Sequence, residues 1–147
     1  MNYSGKHILI IGAGTSGIGA AHEVGQLGGH AILNDDKEIE LDPQVQSKLE
    51  AQGVTIITGR QDDSLLEGID RIIVSPGLPL TIPILESARQ KGISIVGEVE
   101  LAYEVSKAPI LGVTGTNGKT TTTTLLSDVM TATGQPVFVG GNIGDSL

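Results

Sequence analysis

Seven short aliphatic runs recur along the chain, separated by longer stretches with helical spacing, and this alternation restricts the fold more than any other feature. The runs cover residues 7–11 (HILII), 30–33, 54–57, 70–74, 93–96, 109–113 and 136–139. They are rich in Ile and Val and alternate only weakly between apolar and polar positions, as strands buried on both faces do. The stretches 16–28, 43–52, 82–91, 98–106 and 119–133 predict helices. Gly28-Gly29, Gly53, Gly92 and Gly134 stand where helix C-caps belong, and Pro43 and Pro83 lie near helix starts. Repeated strand–helix–strand units give an α/β fold with a mostly parallel sheet and right-handed crossovers. A boundary is expected just before the strand at 109, giving one domain over 1–106 and an incomplete one over 107–147.

Composition removes several classes of function. Trp is absent, with one Phe and two Tyr, so no base-stacking surface for single-stranded nucleic acid is available. A net charge of −8 argues against a broad polyphosphate-binding face. A phosphate ligand must therefore be held locally, by backbone N–H groups, a few cations or a metal. With no Cys, there is no disulfide framework, thiolate metal site or Cys nucleophile. No run approaches the ~18 apolar residues of a membrane span. The apolar start at 8–21 has the look of a weak signal peptide, but it carries an ordered glycine pattern, so a cytoplasmic protein with no membrane contact is expected.

That pattern is Gly12-Ala13-Gly14-Thr15-Ser16-Gly17, a G-x-G-x-x-G between a predicted strand and a predicted helix. Gly12 permits the tight turn, Gly14 leaves no Cβ between backbone and a diphosphate, and Gly17 lets the helix pack close to the strand. Free N–H groups and the positive dipole at the helix start favour an anion. Asp35 ends the second strand, where an acid that binds a ribose hydroxyl usually stands. A nicotinamide, a flavin or a nucleotide-sugar diphosphate would satisfy the same donors. Ser75-Pro76-Gly77 follows the fourth strand and is expected at the carboxyl edge of the sheet, as a ligand contact or a simple turn.

A second glycine loop, Thr114-Gly115-Thr116-Asn117-Gly118-Lys119-Thr120, follows the run at 109–113 and precedes a long helical stretch. In such a loop backbone N–H groups wrap phosphates, Lys119 reaches the β and γ oxygens, and the Thr120 hydroxyl ligates Mg²⁺. Position 113 is Val rather than the Gly of the commoner spacing. A dehydrogenase has no use for this loop, and a simple ATPase has none for the first. Together they imply one nucleotide-linked substrate and one nucleoside triphosphate.

With both loops in view, the chain resembles the Mur ligases of peptidoglycan synthesis, and most of all their D-glutamate-adding branch. The resemblance rests on 10–17 (IIGAGTSG), Ser75-Pro76-Gly77, 97–101 (GEVEL), 115–120 (GTNGKT) and 140–144 (GGNIG), which match in order and spacing. It implies a Rossmann-like open parallel sheet that binds a UDP-linked substrate, followed by the opening β–P-loop–α–β of a central ATPase domain. It implies that ATP phosphorylates the carboxylate of UDP-N-acetylmuramoyl-L-alanine, after which the amine of D-glutamate displaces phosphate. By position, Gly14, Thr15, Ser16, Asp35, Asp36, Lys37, Ser75, Pro76, Gly77 and Asn142 would contact the UDP-substrate. Gly115, Thr116, Asn117, Gly118, Lys119, Thr120 and Thr121 would bind ATP, with Lys119 and Thr120 catalytic and Thr120 on Mg²⁺. The family often has a neutral hydroxyl residue at position 36 and Arg at 37, where this chain has Asp36 and Lys37.

Members of that family are roughly three times as long, so the chain reads as the front part of such a ligase. A monomer that does not catalyse ligation by itself is expected, its D-glutamate site lying elsewhere. The alternative is an NAD(P)-binding oxidoreductase or sensor domain, which would leave Gly115 to Thr120 without a use. The three His residues show no ligand spacing with one another. Glu98, Glu100 and Glu104 read as a solvated helix face rather than a paired-carboxylate site. The Thr run from Thr120 to Thr124 is odd for a helix, since Thr loses rotamer freedom there.

Overall fold

The computed structural model describes residues 2–141. By its internal contacts the chain divides into two units, residues 1–105 and 106–147.

The first unit is a five-stranded parallel sheet in the order β3-β2-β1-β4-β5. The strands are β1 (His7–Ile11), β2 (His30–Asn34), β3 (Thr55–Ile57), β4 (Arg71–Val74) and β5 (Ser94–Gly97). The helices are α1 (Thr15–Gln26), α2 (Pro43–Ala51), α3 (Pro83–Gln90) and α4 (Glu98–Val105). Five predicted strands and four predicted helices thus form, with ends shifted by a residue or two. A short 3-10 helix, Asp63–Leu66, carries no apolar periodicity and escaped the sequence reading; Asp62 caps it by accepting from the Ser64 N–H.

The period-two alternation hidden in the aliphatic runs separates two cores. Ile8 and Ile10 pack on one side of β1 with Ala20, Ala21, Val24, Leu33, Leu49 and Leu101. Leu9 and Ile11 pack on the other with Leu65, Leu66, Ile72, Ile84, Leu85 and Ala88. Helices α1, α2 and α4 therefore cover one face, while α3 and the 3-10 helix cover the other. Both faces of the central strand being dry, its residues are nearly all apolar. Pro43 and Pro83 sit in the first turns of α2 and α3, and Gly28, Gly53 and Gly92 end α1, α2 and α3 at positive φ.

After β1 the chain moves to β2 and β3 on one side, then crosses to β4 on the other. The carboxyl ends of β1 and β4 thus form the topological switch point, outside which ligands of open α/β sheets bind.

The second unit departs from expectation. The runs 109–113 and 136–139 form no strands, and no strand is present among the described residues of 106–141. One helix, α5 (Lys119–Ala132), does form. None of those described residues is buried; Leu111, Leu125, Val129 and Phe138 are each 60% or more exposed. Two isolated strands have neither ladder partners nor an apolar surface to cover, so the aliphatic pattern alone cannot hold them in a sheet. The described part of this unit is a glycine loop and its helix, not a P-loop domain.

Candidate nucleotide-binding site

At the switch point the first glycine turn is held from three directions. Gly12 has φ +101°, and its N–H donates to the Asn34 carbonyl at 2.8 Å. The Ser75 hydroxyl donates to the Gly12 carbonyl at 3.1 Å, joining the turn to the segment after β4. The Ala13 N–H donates to Asp35 Oδ2 at 2.9 Å, joining it to the segment after β2. Space is as restricted as hydrogen bonding. A Cβ on Gly17 would lie 1.8 Å from the Gly12 carbonyl oxygen, and one on Gly12 would lie 2.9 Å from Ser75 Cβ. Only glycine fits at either place.

Gly14 is different. It is the N-cap of α1, its surroundings are open, and no side chain caps the helix. The first N–H to find an acceptor within the helix is that of Ile18, which donates to the Gly14 carbonyl. The N–H groups of Thr15, Ser16 and Gly17 precede it and have no intrahelical acceptor. Thr15 is exposed and Ser16 half-buried, so their donors and a positive dipole end lie on the open side of the turn, the arrangement that suits a phosphate, whereas Gly17 is buried.

Around this turn lie Asp35, Asp36 and Lys37 from the end of β2, and Ser75, Pro76 and Gly77 from the end of β4. Each Asp35 oxygen accepts one backbone N–H, from Ala13 and from Lys37 at 3.1 Å, and each keeps lone-pair capacity for a ligand hydroxyl. Asp36, Lys37, Pro76 and Gly77 are exposed. Asn142 lies outside the described residues.

Sequence reasoning passed over Asn34, the last residue of β2. It is fully buried, donating to the carbonyls of Ile57 at 2.9 Å and Arg60 at 2.8 Å and accepting from Gln61 Nε2 at 2.9 Å. The available signal was an amide closing an otherwise apolar run, HAILN.

The second loop is described by itself. Gly118 is the N-cap of α5 at φ +75°, again with no side-chain cap. The Lys119 ammonium folds back to donate to the carbonyls of Gly115 and Thr116. Thr120 and Thr121 occupy the exposed first turn. Thr123 and Thr124 donate to the carbonyls of Lys119 and Thr120, four residues back, which accounts for hydroxyl residues inside the helix.

Comparison with known proteins decides the family. Residues 6–97 match the family described as Mur ligase MurD-like, N-terminal domain. The chain belongs to that family. This MurD-like chain is 45% identical over 143 residues to a UDP-N-acetylmuramoylalanine–D-glutamate ligase of Streptococcus pneumoniae (strain Hungary19A-6), across 97% of its own length. It is 41% identical over 147 residues to the protein of the same name from Thermoanaerobacter sp. (strain X514). It spans only about a third of either relative, 32%. Among solved structures it is similar to the murein peptide ligase of Psychrobacter arcticus, with TM-score 0.61 and 28% identity over 88% of this chain and 27% of that one. It is also similar to a UDP-N-acetylmuramate:L-alanyl-γ-D-glutamyl-meso-diaminopimelate ligase from Neisseria meningitides, with TM-score 0.59 and 26% identity over 97% of this chain and 46% of that one.

In the MurD-like chain the glutamates of α4 are only in part the solvated face that helical spacing alone predicts, since Glu100 is exposed but Glu98 and Glu104 are not. Glu98 is buried, and Glu100 accepts from the Gly97 N–H. Glu104 accepts from the Arg71 guanidinium at 2.8 Å and from the Tyr3 hydroxyl at 2.7 Å. Partners from the chain's start and from β4 decide the role of Glu104, and those lie 101 and 33 residues away in sequence. Burial alone would raise the Glu104 pKa, but the Tyr3 and Arg71 hydrogen bonds outweigh it and hold the carboxyl below its usual value. This cluster lies at the amino end of β4, away from the glycine turn. His7 and His30 stack at 4.9 Å as register partners, and His22 is held by Gln26 and Gln52. No cluster of metal-ligating side chains occurs among the described residues, and no described helix is long and apolar enough to cross a membrane.

Proposed function

We propose that this chain is the UDP-substrate-binding front part of an ATP-dependent peptidoglycan ligase that adds D-glutamate to UDP-N-acetylmuramoyl-L-alanine. One observation carries the reading: the D-glutamate ligase of S. pneumoniae matches 97% of this chain at 45% identity. The open helix start at Gly14, flanked by Asp35 and Ser75 at the switch point, gives the substrate diphosphate a place that needs no broad basic surface. Thr15 and Ser16 would contact that diphosphate, and Asp35, Asp36, Lys37 and Ser75-Pro76-Gly77 the uridine side. Asn142 would reach the sugar or its diphosphate.

The second loop fits a nucleoside triphosphate with Mg²⁺. Gly118 opens an uncapped helix, Lys119 is a cation already resting on loop carbonyls, and Thr120 offers a hydroxyl. Gly115 to Thr121 would bind ATP there. When bound, ATP supplies the phosphoryl group that converts the substrate carboxylate to an acyl phosphate, and D-glutamate's amine then displaces phosphate. Phosphoryl transfer needs several positioned groups and metals, so this stretch by itself is proposed to bind rather than to catalyse. A cytoplasmic monomer with no nucleic-acid or membrane partner completes the reading.

Calorimetric titration of the chain with UDP-N-acetylmuramoyl-L-alanine, NADH and ATP in turn tests it. Binding of the UDP compound, lost in Gly14→Val, is the expected result. Binding of NADH with no response to the UDP compound would overturn the proposal in favour of a nicotinamide-binding domain.

A further inference from the structure

The amide of Asn34 is costly where it stands. It is fully buried at the end of a strand whose other inward residues are aliphatic, opposite Ile11 in the register. A buried amide destabilises unless every donor and acceptor is matched, whereas an aliphatic residue there would serve the core without that requirement. Here the match is complete. Both donors go to the carbonyls of Ile57 and Arg60, and the acceptor takes Gln61 Nε2. All three partners lie at or beyond the end of β3, so the amide continues strand pairing past the point where the backbone ladder stops.

That extension holds one short segment. The Asp35 N–H donates to the Ile57 carbonyl at 3.2 Å, and the Gly59 N–H donates to the Lys37 carbonyl at 3.1 Å. Residues 35–37 are thereby fastened to 57–59 on one side, and through Asp35 to Ala13 on the other. The glycine turn shares the Asp35–Ala13 bond with that segment and has three further supports: the Asn34 backbone carbonyl, the Ser75 hydroxyl and the close approach of Gly17. None of those involves the Asn34 side chain.

We infer that the Asn34–Gln61 amide pair is a positioning element for nucleoside recognition, fixing the 35–37 segment more than the diphosphate-binding turn, which keeps its other supports. The inference rests on the reading of the site as one for a uridine diphosphate. Asn34 and Gln61 touch no ligand themselves; they hold Asp35, Asp36 and Lys37 at the ribose and base. Loss of the pair lets that segment shift while the phosphate end stays in place.

The test separates the two ends of the ligand. UDP and inorganic pyrophosphate are titrated separately into the wild-type chain and into Asn34→Leu, following backbone amide resonances, which read millimolar affinities. Gln61→Leu is the milder companion, since Gln61 is only half-buried and both Asn34 donors keep their carbonyls. A fall of about tenfold or more in UDP affinity, with pyrophosphate affinity within about twofold, is the expected result for Asn34→Leu. Gln61→Leu should show the same selectivity at a smaller size, and it decides the matter if Asn34→Leu does not fold. Equal losses for both ligands would mean general destabilisation and would overturn the inference, as would unchanged UDP affinity. A wild-type chain that takes pyrophosphate but not UDP would instead overturn the uridine reading on which the inference stands.

Discussion

Ser75 and Gly12 are joined by a hydrogen bond of 3.1 Å from hydroxyl to carbonyl, across 63 residues of sequence. The bond spans the switch point and couples the turns after β1 and β4. The same carbonyl faces Gly17 Cα, so its direction decides whether α1 can close onto β1. Ser75→Ala is expected to cost about 1 kcal/mol. Thermal unfolding should then fall by about 5 °C, and affinity for the UDP-substrate should drop. An unchanged melting temperature would show that the bond contributes nothing net.

Two glycines of one motif should respond in opposite ways. Gly17→Ala forces a Cβ against a backbone oxygen that cannot move without opening the turn, and is expected to cost about 3 kcal/mol or more. Gly14→Ala meets open space and should cost only about 1 kcal/mol or less, the difference between Gly and Ala at a helix N-cap. Its methyl group nevertheless stands beside the free N–H groups and should weaken ligand binding. Urea unfolding paired with calorimetric titration distinguishes the two effects.

The Glu104 cluster predicts a pH signature. Because the folded pKa is held below the usual 4.5, its stabilisation is present in full above that value. It is lost as pH falls through the folded pKa. Glu104→Gln should therefore be less stable than wild type at neutral pH, by about 1–3 kcal/mol, with the gap narrowing below pH 4.5. At the alkaline end, burial first and the Glu104 contact second push the Tyr3 hydroxyl up to about 12. Stability should fall as pH rises from 10 to 12, and Tyr3→Phe should remove that part of the decline. Urea midpoints measured across pH test both arms.

Hydrogen exchange should divide the chain at the unit boundary. Amides of β1 and β4, buried between two cores, are expected to be strongly protected. Those of 109–139 belong to a stretch with no buried residue and should exchange fast, α5 only modestly slower. Strong protection there would show that the second unit is well formed.

The sequence by itself determined the first unit's parallel sheet, because Ile and Val runs such as HILII are stable only when both faces are covered, and glycine and proline mark where helices stop and start. It also located the glycine turn, since G-x-G-x-x-G states a steric requirement that Gly12 and Gly17 meet against atoms of the fold. Tertiary structure decided what periodicity cannot encode. The aliphatic runs 109–113 and 136–139 have strand composition and no strand, because a ladder needs a neighbour. Glu104 has the spacing of a surface residue, yet Arg71 and Tyr3 claim it. Asn34 was legible only as an amide in an apolar run until Ile57, Arg60 and Gln61 came into place around it. Patterns local in sequence report which side of an element is dry, whereas the partners of a buried polar group come from segments far along the chain, and only the folded arrangement brings them within hydrogen-bonding distance.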